Sequence, residues 1–512
     1  MGKIAALIKK TLGLNGGQIK GESKVKKIEI NPMTRLEGHG KIAIFLDENG
    51  NVDDAFFQTV EFRGYEKFLQ GMPIEEVPRT VSTVCGVCRA VHFLCSMKAS
   101  DDVYGVAPPS TGRKLRELFY SAHTVEDHTA VLYALGFPDF VVGPDASPAE
   151  RNLVGLIKAV GAETGKLVLQ KRGLAVKIFE LLGGKPNHPV AALPGGWSKR
   201  INEEERAQIE KWAEELVELG KLTLQVFDDV VLKNPKYMEL VTGEMYRVEV
   251  GCMATVDEQN RFALYDGTQK AIDAKGNVVG TFRGKEYLDF ISERVLPWSY
   301  LKFPYNKKLG GWDGIKSGPD TNIYCVGPLA RMNVVDSMST PLAQEHFEKF
   351  HDTFGARPVH YIQAYHWARA IEVLAAAEKC LELSRDPEIT GSDTWNQPSS
   401  CTGEGVGILE ANRGTLVHHY ITDDQGIVQN ANLIVSTTHN NAPINLAVKT
   451  AARHFIQDGN VSEALLNHVE MAFRPYDLCL ACATHTVTGG QQPVEVNIYK
   501  NSGELYKQMK NF

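Results

Sequence analysis

Two short cysteine motifs at opposite ends of the chain constrain its fold more than any other feature. Cys85-Gly86-Val87-Cys88 is followed by His92, and Cys479-Leu480-Ala481-Cys482 by His485. Cys-x-x-Cys spacing lets two sulfurs bind one metal without strain, and two such pairs make a closed four-thiolate set. Nearly the whole chain lies between them, so folding has to bring the two ends together before either pair is completed. The other five cysteines, Cys95, Cys252, Cys325, Cys380 and Cys401, are scattered. This odd, sparse set is no disulfide framework. It indicates a reducing compartment with metal or redox use, and the scattered five read as buried small residues.

A chain of 512 residues carries a length prior of roughly three domains. It shows no internal repeat, low-complexity run or linker, and its 43% apolar content suffices for one large core. The net charge is -7, with Lys and Arg scattered apart from a modest basic run at Lys20 to Lys27, so there is no nucleic-acid footprint. The apolar run Ile4 to Ile8 is cut by Lys9 and Lys10, too short for a secretory signal, and nothing approaches the length of a membrane span. These features predict a soluble protein without a membrane span.

Lys24–Ile30, Lys41–Leu46 and Val52–Phe62, with the turn Asp47-Glu48-Asn49-Gly50, predict a small N-terminal antiparallel sheet. Phe62 to Glu66 opens a helix. Helical spacing covers Lys114–Tyr133, Ala149–Leu182, Glu203–Leu232 and Thr340–Leu383, and the last two helices are Ala442–Gln457 and Ser462–Phe473. Gly183 to Pro189 and Pro194-Gly195-Gly196 mark a shaped surface loop. Tyr246–Gly284 reads as irregular β-structure. Thr402–Gly414 reads as a glycine-rich stretch before a hairpin of Leu416–Tyr420 and Ile427–Val435. The predicted class is α+β, mainly helical: an extension over 1–26, one domain over 27–485, and a tail over 486–512.

Four cysteines with nearby histidines most often hold structural zinc. Zinc fingers, however, draw their ligands from a compact segment that the metal folds. Here the pairs lie at the two ends of a chain able to build its own core, and a thiolate-rich site also suits nickel, iron or copper and redox chemistry. Glu37 and Arg413 are as readily partners in surface ion pairs as parts of a site.

Four elements taken together are more specific: Arg35-Leu36-Glu37-Gly38-His39, Cys85-Gly86-Val87-Cys88 with His92, Glu410-Ala411-x-Arg413-Gly414, and Asp477-x-Cys479-x-x-Cys482-x-x-His485. In this order and at these separations the chain resembles the large, catalytic subunit of nickel–iron hydrogenases, most closely the soluble cytoplasmic group. The resemblance implies that all four cysteines bind nickel, with Cys88 and Cys482 bridging to an iron that carries one carbon monoxide and two cyanides. Glu37 would accept the proton from Cys479. Arg413 would lie over the metals, oriented by Asp127 and Asp477, with Ser436 or Thr437 hydrogen-bonding a cyanide. Glu66, His485 and the backbone near Asn432 would hold magnesium. His92 would act behind the ligands or in packing.

The resemblance also implies partners. The chain has no further cysteine cluster, so iron–sulfur clusters belong to a separate small subunit, faced by His188. Electrons would pass to a heterodisulfide reductase, nicotinamide or deazaflavin partner, the first being favoured. A maturation protease and nickel chaperones would act on the chain, and 486–512 is either the extension that such a protease removes or a retained tail. Thr83, Asn412 and Leu478 depart from the family's usual Arg, Pro and Pro. They remove no ligand but alter the surroundings. The alternatives are a zinc-stapled structural protein and a hydrogenase-related electron-transfer subunit that has lost its metals.

Overall fold

The computed structural model describes residues 26–484, 495–499 and 505–510. All of the predicted extension but Lys26 therefore lies outside the described residues, as do His485 and most of the tail. Three antiparallel strands open the fold, β1 (Lys26–Ile30), β2 (Gly40–Leu46) and β3 (Val52–Thr59), in the order β1-β2-β3. Ile42, Ile44 and Phe57 are fully buried, as alternation on one packed face requires. The helix opening near Glu66 is a single turn, Tyr65–Phe68, because Gly71 and Pro73 end it.

The body is helical. Helix α1 (Arg89–Val103) starts at the first cysteine pair, followed by α2 (Ser110–Val131), α3 (Ala162–Gly183) and α4 (Glu203–Phe227). Helix α5 (Ala364–Arg385) packs on both α2 and α4, and α3 packs on both as well. These four helices enclose the largest part of the core. The helix expected over Ala149–Leu182 is in fact two, Leu153–Val160 and α3. Gly161 divides them with φ 88°, a conformation that ends a helix.

The region read as irregular β-structure is a sheet: β4 (Gly251–Val256), β5 (Thr268–Ile272) and β6 (Val278–Phe282) are antiparallel, and β7 (Tyr324–Cys325) joins β4 in parallel. The glycine-rich stretch before Arg413 is also a strand. β8 (Glu404–Ala411) pairs with β9 (Gly414–Thr422), which pairs with β10 (Val428–Ile434). Its glycines have a steric reason: a Cβ on Gly407 would sit 2.1 Å from Cys95 O, and one on Gly405 would sit 2.4 Å from Ala99 O. Helix α1 lies directly on bare backbone, which places the first cysteine pair beside the Arg413 turn. Helix α6 (Asn441–Phe455) packs on β3. In the tail, Glu495–Tyr499 and Leu505–Lys510 pair antiparallel.

Candidate metal centre

The two ends of the chain meet through backbone. Glu37 N donates to Leu478 O at 3.1 Å and Leu480 N donates to Glu37 O at 3.0 Å, an isolated parallel bridge between Glu37 and Cys479. Gly38 makes this approach possible: with φ 87°, a Cβ there would fall 2.8 Å from Leu480 Cβ. The first pair is set by α1. Cys88 is its N-cap residue, and Val87 N donates to Cys85 Sγ at 3.2 Å. A sulfur at a helix N-terminus is held where negative charge is favoured.

All four sulfurs lie within 4.8 Å of one another and all four residues are buried. Cys479 Sγ is 2.9 Å from Cys482 Sγ and 3.4 Å from those of Cys85 and Cys88. Thiolates at ~2.3 Å from one metal stand ~3.8 Å apart in a tetrahedron, so the cluster fits one ion with little adjustment. Burial pushes the Cys479 and Cys482 thiols well up. Four thiolates are therefore stable here only with a cation among them.

Glu37 Oε2 is 3.1 Å from Cys479 Sγ and accepts from Ala481 N at 3.2 Å. Burial, and then the charge of Cys85, raise its carboxyl above the usual range. Arg413, on the β8–β9 turn, donates from Nη1 to Cys88 Sγ at 3.0 Å and from Nη2 to Asp477 Oδ1 at 2.9 Å. Its Nε donates to Asp477 O at 2.7 Å, and Asp127 Oδ2 lies 3.5 Å from Nη1. Asp477 holds this position with φ 57°, left-handed backbone that Asp tolerates better than most residues. A small pocket lined by Cys88, His92, Asn412, Arg413, Ser436 and Cys479 adjoins the sulfurs. Ser436 Oγ donates to Gly414 O at 2.6 Å, whereas Thr437 Oγ1 accepts from Cys479 N at 3.2 Å and so positions a ligand's backbone.

His92 is buried and Nδ1 meets His418 Nε2 at 3.1 Å. Glu66 Oε1 accepts from Leu433 N at 2.9 Å and lies 3.6 Å from Lys302 Nζ, which is 3.3 Å from Asn432 Oδ1. His188 lies at the surface with Nδ1 3.0 Å from Ser82 O, on the loop before the first cysteine pair. Three residues were not singled out by the sequence: Arg369, Lys302 and His418. Arg369 is buried beside Asp477, and its Nη2 donates to Pro475 O at 2.9 Å. Arg369 and Glu372, three apart, share one face of α5 and are both buried.

The family model described as nickel-dependent hydrogenase matches residues 63–153 and 166–485, and a HoxL-like model matches 27–62. The chain belongs to the nickel-dependent hydrogenases. It is 63% identical to an F420-non-reducing hydrogenase iron-sulfur subunit of Archaeoglobus profundus, over 95% of this chain and 100% of that one. It is 37% identical to the NAD-reducing hydrogenase HoxS subunit beta of Cupriavidus necator, over 94% of this chain and 98% of that one. Among solved structures, an NAD+-reducing nickel–iron hydrogenase in the H2-reduced state superimposes with TM-score 0.82 at 35% identity, covering 90% of this chain and 99% of that one. The hydrogenase chain is the large catalytic subunit, an oxidoreductase for the reversible heterolytic cleavage of H2, and its four-cysteine site suits nickel and iron. Among the described residues no helix is long and apolar enough to cross a membrane.

Proposed function

We propose that the four cysteines would hold a nickel ion, and that Cys88 and Cys482 would also hold an iron whose other ligands would be one carbon monoxide and two cyanides. The observation that supports this most is the convergence of four sulfurs, the Glu37 carboxyl and the Arg413 guanidinium at one buried point. When bound, the metal pair supplies the site at which H2 is polarised and its electrons are taken up. The chain's own part is to move the proton. Cys479 Sγ lies within hydrogen-bond reach of Glu37 Oε2 and passes the proton there. Arg413 keeps a fixed positive charge against Cys88 and the pocket, oriented by Asp477 and Asp127, where it costs no reorganisation during reaction. Ser436 lines that pocket and Thr437 holds the Cys479 backbone.

An infrared spectrum of the native complex tests the metal assignment. One carbonyl and two cyanide bands are expected; zinc alone in a mature sample, with no such bands, would make the four sulfurs a structural clasp. Arg413→Lys should retain both metals and lower turnover roughly 10²-fold, because a single ammonium cannot keep contact with Cys88, Asp127 and Asp477 together. Unchanged turnover in the nickel-loaded variant removes Arg413 from the mechanism.

Magnesium is proposed beside Glu66, with the Asn432 backbone and His485 completing its protein ligands. Burial pushes the Glu66 carboxyl up to about 7, against the pull of Lys302. The folded state then holds this proton more tightly than the unfolded chain does. Its stabilising effect is full below the ordinary value of 4.5 and is lost as pH rises through 7. Without a divalent cation the melting temperature should fall between about pH 5 and pH 8, a loss on the order of 3 kcal/mol. Magnesium should restore it at the upper pH only; a chelator without effect there would argue against the site.

In this reading, residues 27–485 form one catalytic domain and 486–512 a maturation extension or retained tail. Electrons leave through an iron–sulfur small subunit docked near His188. They pass to a heterodisulfide reductase, nicotinamide or F420-type partner in the cytoplasm, after nickel chaperones and a protease have completed the site. Of the relatives' names, NAD-reducing supports the nicotinamide partner and F420-non-reducing speaks against the F420-type one.

A further inference from the structure

A second pair of thiols lies behind the Arg413 turn and takes no part in the metal centre. Strand β7 pairs in parallel with β4, and the register sets Cys325 directly opposite Cys252. Their sulfurs are 3.7 Å apart and both residues are buried. Among the described residues they join no wider group of metal-binding side chains. Neighbouring strands lie about 4.8 Å apart, within the span of about 4.4–6.8 Å between Cα atoms that a disulfide bridges. The hydrogen bond from Cys252 lowers the Cys325 thiol against its burial, while that same bond and burial raise Cys252.

The segment after Cys325 is in backbone contact with the catalytic turn. A Cβ on Gly327 would lie 2.7 Å from Arg413 O, and one on Gly414 would lie 2.6 Å from Gly327 N. The Val326 side chain closes on the same point, its Cγ2 2.3 Å from the Gly414 Cβ position. Tyr365 OH donates to Val326 O at 3.0 Å, and the Tyr365 ring lies 4.9 Å from that of Tyr476, the residue before Asp477. The Arg413 turn thus meets the segment that follows Cys325 directly, and the residue before Asp477 meets it through Tyr365.

We propose that Cys252 and Cys325 form a reversible disulfide under attack by a small hydroperoxide, and that this bond displaces the Arg413 turn and slows hydrogen turnover. The Cys325 thiolate attacks the peroxide, breaking its O–O bond and leaving a sulfenic acid; hydroxide departs and is protonated to water. The Cys252 thiol then displaces a second water from that sulfur, forming the S–S bond. Two electrons pass from the two sulfurs to one hydrogen peroxide, and two waters result. The sulfurs must close from 3.7 Å to about 2.05 Å. The movement falls on β7 and the residues touching Arg413, where a shift of about 1 Å is enough to cost roughly 10²-fold in rate.

The test uses the complete anaerobic complex, treated with hydrogen peroxide, alkylated and digested without reduction. Mass spectrometry should find a cross-linked peptide containing Cys252 and Cys325 that dithiothreitol removes. Turnover should fall roughly 10- to 100-fold in a part that dithiothreitol restores. This restorable part should be missing from Cys252→Ala and Cys325→Ala, which keep their starting activity. Both cysteines found separately alkylated after peroxide would overturn the site. A cross-link with unchanged turnover would overturn the coupling. Should a variant fail to assemble, the peptide map and recovery of the unmodified complex decide alone. The second half of the proposal rests on the role of Arg413, but the peptide map does not, so the two failures are distinguishable.

Discussion

Glu37→Gln leaves nickel and iron bound and lowers H2 turnover by roughly 10²- to 10⁴-fold. The substitution keeps the shape of the side chain. A carbonyl oxygen still accepts from Ala481 N, and the bridge between Glu37 and Cys479 is made by backbone alone. What is lost is a group able to take and release a proton 3.1 Å from Cys479 Sγ. Because burial raises the Glu37 carboxyl, the unmodified enzyme should lose the accepting, ionised form at a higher pH than an ordinary carboxylate does. Its H2 oxidation should therefore decline on the acid side, and the amide variant should lack that limb. Exchange between H2 and deuterated water, read beside nickel analysis, checks this; nickel loss or wild-type exchange would remove Glu37 from the relay.

Cys482→Ala abolishes nickel binding and turnover together. The sulfur sits 2.9 Å from Cys479 Sγ in a residue with no exposed surface, so neither water nor another side chain can replace it. Three thiolates would remain in a site whose burial already resists deprotonation of Cys479. The fold should survive, because the helices α2 to α5 and the strands β8 to β10 draw their stability from a core that extends far beyond the site. Removing one buried sulfur costs on the order of 1 kcal/mol. Metal analysis, turnover and thermal melting against the metal-free unmodified chain separate these effects. A nickel-loaded, active variant would refute Cys482 as a ligand.

Long helices were legible because apolar residues recur at their spacing, as over Lys114–Tyr133, where the helix is Ser110–Val131; the stretch Thr340–Leu383 is two helices, Pro341–Phe354 and α5, because Gly355 with φ 61° ends the first. Where glycine serves packing, the pattern misleads. Gly405 and Gly407 fell in a stretch read only as glycine-rich, yet they lie in β8 because α1 needs bare backbone beneath it. Gly161 looked tolerable inside a helix and instead divides two. Buried charges were the other gap. Lys302 pairs with Glu66, and Arg369 is buried near the charge of Asp477, in both cases with a residue far away in the chain, so local spacing carries no trace of it.

The sequence by itself determined the chemistry available: two cysteine pairs of metal-binding spacing, a carboxylate at Glu37, a guanidinium at Arg413 and a core large enough to bring them together. Those are properties of residue types and short intervals, which no fold is needed to define. Only the tertiary structure decided that Glu37 reaches Cys479 rather than a surface ion pair, that Arg413 faces Cys88, and that Thr437 holds backbone while Ser436 lines the pocket. It also set Cys252 against Cys325. Each of these contacts joins segments tens to hundreds of residues apart, and such distances are fixed by how helices and strands pack, not by anything within one stretch of chain.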